Sequence, residues 1–189
     1  MGLATFKGGV HPYEGKELSE NKPVQVLMPK GDLVFPMSQG IGAPANPLVK
    51  KGDRVLAGQI IGEAGGFISA NVICSVSGTV KAVEPRRVAS GGMVNSVVVE
   101  NDGQYEAVEG MGADRDPATL SKQEIRDIVK AAGIVGMGGA GFPTNVKLSP
   151  KNEDAIEYIL INGAECEPYL TSDYRCMMDD PEKIIGGLK

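Results

Sequence analysis

Between Val24 and Glu100 the apolar positions fall in short runs: Val55-Leu56, Ile60-Ile61, Val72-Ile73, Val80-Lys81-Ala82-Val83 and Val97-Val98-Val99. Turn signals stand between them, among them Lys51-Gly52-Asp53, Ala57-Gly58, Gly65-Gly66, Ser77-Gly78, Gly91-Gly92 and Asp102-Gly103. Many recur near the roughly 8–12-residue spacing of a small all-β barrel or sandwich. The pattern predicts short strands on those runs. Pro29, Pro36, Pro44, Pro47 and Pro85 lack the N–H that a sheet ladder needs and are expected at edges or strand starts.

The pattern changes after Glu100. The stretch Asn101 to Pro117 is polar, glycine-rich and weakly periodic, and reads as a connection. We therefore divide the chain into 1–105 (an N-terminal extension and the β domain), a linker at 106–119, and a second domain at 120–189. Ser121 followed by Glu124 forms a capping box, with Leu120 and Ile125 as its hydrophobic staple. Ile125, Ile128, Val129 and Ala132 share one helical face, and Gly133 suits a left-handed stop. Tyr158-Ile159-Leu160-Ile161 is an unbroken apolar run, as expected of a parallel strand buried on both faces. Helices are expected after Thr171-Ser172-Asp173 and from Asp180-Pro181-Glu182, where Asp caps and Pro opens the first turn. One strand makes no sheet, so the second domain is expected to continue past Lys189.

Composition narrows the function. Hydrophobic residues make up 42% and charged residues 23% of the 189, as in an ordinary globular protein. The net charge is −5, and no Lys/Arg run exceeds two residues, which sets nucleic-acid binding aside. No stretch nears the ~18 apolar residues of a membrane helix, and the N-terminus reads as no signal peptide. His11 is the one histidine, which rules out a His-based cluster and leaves it to satisfy local backbone groups. Cys74, Cys166 and Cys176 show no CxxC spacing, so reduced thiols are expected and no metal site or iron–sulfur cluster in this stretch. Cys166 is expected as a buried neutral thiol, and Tyr158 and Met177 as core residues.

Two stretches carry candidate chemistry. Gly136-Met137-Gly138-Gly139-Ala140-Gly141-Phe142-Pro143-Thr144 holds four glycines in six residues, which lets backbone N–H groups approach a flat or anionic ligand. Gly136-x-Gly138-x-x-Gly141 matches the dinucleotide fingerprint in letters alone. That fingerprint needs a preceding strand and a following helix, whereas here a helix precedes and Phe142-Pro143 favours extended backbone. No Gly-Lys-Ser/Thr follows, so a phosphate loop of that kind is absent. The competing reading is a docking or scaffold domain whose glycine loop only packs. The second stretch, Asn162-Gly163-Ala164-Glu165-Cys166-Glu167-Pro168, follows the expected strand, where α/β sheets place ligands. Asn162 both donates and accepts, as a flavin's pyrimidine edge requires, while Glu165 and Glu167 accept from ribose hydroxyls or an amide. A solvated acidic turn is the plainer alternative.

Together these stretches resemble the flavin-binding core of the NADH-oxidising 51 kDa subunit of respiratory complex I. The resemblance is closer to its relatives, the RnfC family of Rnf ion-translocating electron-transport complexes. It is carried by Thr5-Phe6-Lys7-Gly8-Gly9-Val10-His11-Pro12, Gly40-Ile41-Gly42-Ala43-Pro44-Ala45, Val76-Ser77-Gly78-Thr79-Val80, Val135 to Thr144 and Ile161 to Asp173. It implies an α/β fold in which an N-terminal all-β barrel-sandwich hybrid, biotinyl- and lipoyl-like, precedes the start of an FMN- and NADH-binding α/β domain. By resemblance FMN is cradled by Gly136, Gly138, Gly139 and Gly141, with Lys147, Asn162 and Glu165 in reach. Phe142 and Glu167 would meet NAD(H). Met137 stands where the complex I pattern has arginine and Ala164 where it has aspartate, which removes polar contacts to flavin or nucleotide.

The implied activity is that of a ferredoxin:NAD oxidoreductase subunit, passing electrons between NAD(H), FMN and iron–sulfur clusters. Two [4Fe–4S] clusters would lie in a part following Lys189. The implied partners are the other subunits of the membrane complex and, indirectly, ferredoxin-type carriers. The implied location is peripheral, on the cytoplasmic face of the cell membrane. The first domain also has the turns of a carrier (Val49 to Val55 and Ser77 to Val80), but Lys81 falls inside a strand pattern without flanking methionines. It is read as structural, with no covalent biotin or lipoate.

Overall fold

In the computed structural model, which describes residues 8–10, 12–137 and 139–189, the apolar runs become two antiparallel sheets. The strands are β1 (Asp32–Pro36), β2 (Asn46–Pro47), β3 (Arg54–Val55), β4 (Ile60–Glu63), β5 (Val72–Ile73), β6 (Gly78–Arg87) and β7 (Met93–Asn101). One sheet runs β1-β7-β6-β3 and the other β2-β4-β5. Each expected run meets a strand, and β1 and β2 add to them. His11 and residues 5–7 lie outside the described residues.

The core is largely valine. Val55, Val76, Val80, Val97 and Val99 pack with Ile61, Phe35, Met37 and Cys74, while Val98 is also buried. Each such side chain contributes roughly 1.5–3 kcal/mol when fully removed from water, which is what closes so short a set of strands. Val34 pairs with Val98 and Phe35 with Val97, so β7 is the spine of the larger sheet. Pro36 and Pro47 end the edge strands β1 and β2, and Pro85 lies where β6 pairs with β7 alone. The missing N–H groups therefore fall where the ladder is open. Gly78 sits where β6 meets β7 with no room for a Cβ, which would strike the Glu100 carbonyl. Lys81 occupies the bulge between Val80 and Ala82 and pairs with Asp32 at 2.8 Å, which raises its pKa. Burial pushes the Cys74 thiol up, and its Sγ donates to the Val76 carbonyl at 3.1 Å.

The chain stays tied to the barrel past β7. Ala57 donates to Glu106 at 2.8 Å and accepts from Val108 at 2.9 Å, and Tyr105 packs on the core. Asp102 is a hub here: the Gln104 N–H, the Ser77 hydroxyl and Arg54 all donate to it and hold its pKa at about 2. A carboxylate lowered on folding stabilises the fold fully above its ordinary value near 3.8, and loses that effect as pH falls towards about 2. Asp102→Asn is accordingly expected to flatten the loss of stability across that acid window. Urea midpoints measured from neutrality to low pH check this, and an unchanged slope would reject Asp102 as the source.

The helices follow their sequence signals. α1 (Lys122–Ala131) carries the full Ser121–Glu124 capping box. Ile125, Ile128 and Val129 are half-buried, while Ala132 at the C-cap is exposed. Gly133 takes φ +65° and donates to Lys130, and Ile134 donates to Val129, the paired bonds of a Schellman stop. α2 is a single turn (Thr144–Lys147), and α3 (Ser172–Asp179) and α4 (Pro181–Leu188) form near the expected Thr171-Ser172-Asp173 and Asp180-Pro181-Glu182, although the Asp180 side chain makes no capping hydrogen bond.

The strand expected over 158–161 does not form. Tyr158 and Leu160 are 79% and 89% exposed, and Ile159 and Ile161 are exposed with them. A strand needs a neighbour for its N–H and C=O groups, and no other strand stands between residues 120 and 189 among the described residues. Tyr158 is therefore not core, and Met177 is exposed too, although its Sδ packs against Gly163. Cys166, expected to be buried, is exposed; with the run before it unpaired, no sheet covers the turn that carries it.

By its contacts the chain divides into two compact units, Met28–Glu153 and Met1–Leu27 with Asp154–Lys189. The first holds the barrel, α1, the glycine loop and α2. The second holds the acidic turn, α3 and α4.

Candidate functional site

The glycine loop grows directly out of the stop of α1. Val135 bridges Pro143, Gly136 donates to the Phe142 carbonyl at 2.9 Å, and Thr144 donates to Ile134 at 3.0 Å. These bonds close the base of a loop over residues 136–142. Its tip is open: Met137 is 85% exposed, and a Cβ placed on Gly139 would meet no atom within 4 Å. Gly138 lies outside the described residues. Pro143, at φ −61° and ψ 126°, keeps the backbone extended until the single turn of α2 begins. A helix before the loop and one turn after it are not the strand–loop–helix of a dinucleotide fold, as the order of signals in the sequence implied.

α2 returns a cation to this loop. Its last residue, Lys147, lays its Nζ 2.6 Å from where a Cβ of Gly136 would stand. Gly136 thus leaves room for an ammonium at the base of the loop, an arrangement suited to an anionic or electron-rich ligand. Phe142 is half-buried at the loop's end. Gly141, at φ +62°, rests against Gly40 of the barrel, and Ile41 donates to the Ala140 carbonyl at 2.6 Å. A cleft of about 360 Å³ opens beside this contact, with Gln39 and Ile41 on its barrel side and Gly133, Val135 and Gly141 among its other lining residues.

Asn162, Glu165 and Glu167 belong to the other unit, within one turn. The Asn162 side-chain oxygen accepts from Ala164 N at 2.9 Å, which leaves its amide N–H groups for a ligand. Glu165 accepts from the Asp173 N–H at 3.0 Å and the Ser172 hydroxyl at 3.4 Å, so its carboxylate caps α3. The Glu167 side chain is exposed, and its carbonyl accepts from Lys16 Nζ at 3.0 Å. Lys16 also donates to Leu170 at 2.8 Å, Tyr169 donates to Glu14, and Tyr13 meets the Tyr169 ring edge-on at 6.1 Å. A hollow of about 180 Å³ lies there, lined by Glu14, Lys16, Glu165, Cys166 and Glu167 among others.

Sequence reasoning missed two supports. One is the barrel contact at Gly40 and Ile41, whose signal was the second glycine cluster Gly40-Ile41-Gly42. The other is the N-terminal segment around the acidic turn, for which no local pattern gave a sign. Among the described residues no group of three or more His, Cys, Asp or Glu is placed to hold a metal, and no helix is long and apolar enough to cross a membrane.

Comparison with known proteins settles the family. A family model described as the RnfC barrel sandwich hybrid domain matches residues 4–104. The chain belongs to the RnfC family. A second model, the Nuo51 FMN-binding domain, matches residues 129–189, so the barrel-sandwich hybrid is followed by an FMN-binding-type region. Among the similar relatives is the C component of the proton-translocating ferredoxin:NAD(+) oxidoreductase complex of Clostridium ljungdahlii, 44% identical over 99% of this chain and 41% of its own length. The counterpart from the Na(+)-translocating complex of Acetobacterium woodii is 46% identical over 98% of this chain and 42% of its own. The C component of an ion-translocating oxidoreductase complex of Rhodobacter capsulatus is 40% identical over 97% and 36%. The chain thus spans less than half the length of these RnfC relatives.

Proposed function

We propose that this chain is the flavin-proximal portion of an electron-transfer subunit in a membrane-bound, ion-translocating oxidoreductase of the ferredoxin:NAD(+) type. The observation that carries the reading is the loop at 136–142, bonded shut at its base, open at its tip, with the Lys147 ammonium over Gly136. A loop needed only for packing has no use for an open tip and a parked cation. The residues fit FMN: Gly136, Gly139 and Gly141 bring backbone close, and Lys147 supplies positive charge for a phosphate or a reduced ring. Gly138 completes the set in sequence.

Bound there, FMN would exchange an electron pair with a nicotinamide and pass electrons on singly. The chain's own part is to hold and tune. The loop N–H groups orient the ring, Lys147 favours added negative charge, and Phe142 offers an apolar face to NAD(H). Asn162, Glu165 and Glu167 are proposed to complete the flavin and nucleotide contacts, Glu165 while also capping α3. In this reading residues 1–105 form the structural domain, 106–119 the connection and 120–189 the start of the cofactor domain. The [4Fe–4S] clusters belong to the part of the protein that follows, and the other members of the complex hold it on the cytoplasmic face of the membrane.

The test is a visible spectrum. The full-length protein, loaded with FMN and freed of excess, is expected to retain flavin absorbance near one equivalent. A colourless protein under those conditions would favour the scaffold reading, in which the loop only packs.

A further inference from the structure

The glycine loop is held by the barrel, within the compact unit that carries both. Residues 136–142 include four glycines, which lose more backbone freedom on ordering than any other residue. Such a loop must be fixed by something before it can offer N–H groups in a set direction. Its base is fixed by the bonds to Phe142 and Ile134, but those bonds do not reach the span at Ala140 and Gly141. What meets that span is the barrel loop at 38–43. Ile41 N–H donates to Ala140 at 2.6 Å, close to the limit for an N–H···O bond. Beside it Gly40 and Gly141 touch backbone to backbone. A Cβ on Gly40 would stand 2.6 Å from the Gly141 carbonyl, 2.9 Å from the Ala140 carbonyl and 2.9 Å from Gly141 Cα. None of these is a side-chain end that can swing away. Gly40 itself has no left-handed φ, so closeness and not conformation demands glycine at this position.

We propose that Gly40 and Ile41 are positioning residues for the ligand loop: the barrel domain presets the geometry of the glycine loop through the Ile41–Ala140 hydrogen bond and the Gly40–Gly141 contact. The barrel-sandwich hybrid then serves as a rigid jig for the cofactor site. Ordering is done in the folded protein, so binding need not supply it, which is how preorganisation raises affinity. This rests on the flavin reading above for the identity of the ligand, though not for the contact.

The experiment compares the full-length protein with its Gly40→Ala, Ile41→Pro and Gly92→Ala variants. Gly40→Ala wedges the loops apart. Ile41→Pro removes the donor without adding a Cβ at Gly40, while also fixing φ at 41 and restricting the Gly40 backbone. Gly92→Ala adds the same methyl where only Ser90 Oγ, at 3.8 Å, is near. Amide exchange across 136–142 without ligand and FMN affinity by fluorescence titration are read together with the barrel's melting temperature. Both wedge and donor variants are expected to speed exchange in the loop and weaken FMN binding about tenfold, a loss of about 1.4 kcal/mol, with melting unchanged. Gly92→Ala should behave as the parent. Faster exchange with unaltered FMN affinity would overturn the proposal, as would unaltered exchange in both variants. If the parent binds no FMN, the flavin reading fails by itself, and exchange still decides whether the barrel holds the loop. If one variant does not fold, the other decides.

Discussion

Replacing Gly136 with valine is expected to lower FMN affinity roughly 10- to 100-fold while leaving the barrel intact, since overpacking a filled site costs about 1–3 kcal/mol. The asymmetry comes from what the new side chain would meet. Its nearest neighbour is Lys147 Nζ, the far end of a flexible chain, which moves away at little cost to the fold. The space it would take is the space in which, in the proposed site, the Lys147 ammonium would face the ligand. Visible absorbance after FMN loading, beside a thermal melt, checks both halves. Full flavin occupancy in Gly136→Val would mean that the ligand lies elsewhere.

Gly78→Ala should do the reverse and damage the fold. Its Cβ would strike the Glu100 carbonyl and crowd Val99 Cγ1 at 3.1 Å, where the β6–β7 pairing begins. Neither backbone can yield without parting the strands that carry Val80, Val97 and Val99. A cost of about 2–3 kcal/mol is expected, and with it a fall of roughly 10–20 °C in melting temperature. A melt equal to that of the parent would show that β6 and β7 are less tightly apposed than this contact requires.

These two glycines mark what could be read from sequence. Turn glycines and valine runs gave the strands, because period-two burial and tight turns are local. The Ser121–Glu124 box and Gly133 gave both ends of α1 for the same reason. Gly136 and Lys147 were legible together only through the family resemblance, and the single turn of α2 that joins them gave no signal of its own. Tyr158 to Ile161 misled, since four apolar residues specify a strand only when another strand is there to bond them. Contacts between distant segments left no local trace. Gly40 touching Gly141, and Lys16 reaching Glu167, depend on how the backbone is brought round, which no window of sequence contains.

The bonds from Lys16 to Glu167 and Leu170, and from Ser19 to Tyr169, join positions about 150 residues apart in the chain. Order of synthesis matters for such a unit. The strands from Asp32 to Asn101 emerge together and find their partners nearby, so the barrel is expected to close while translation is still under way. Residues 13–20 leave the ribosome before any of it, yet their partners arrive only after the barrel, α1 and the glycine loop have been made. Residues 13–20 thus precede the barrel in synthesis but find their partners only after it. A tag or leader fused ahead of residue 13 is therefore expected to disturb the acidic turn at 162–168 through Lys16, however far from it the fusion looks in sequence.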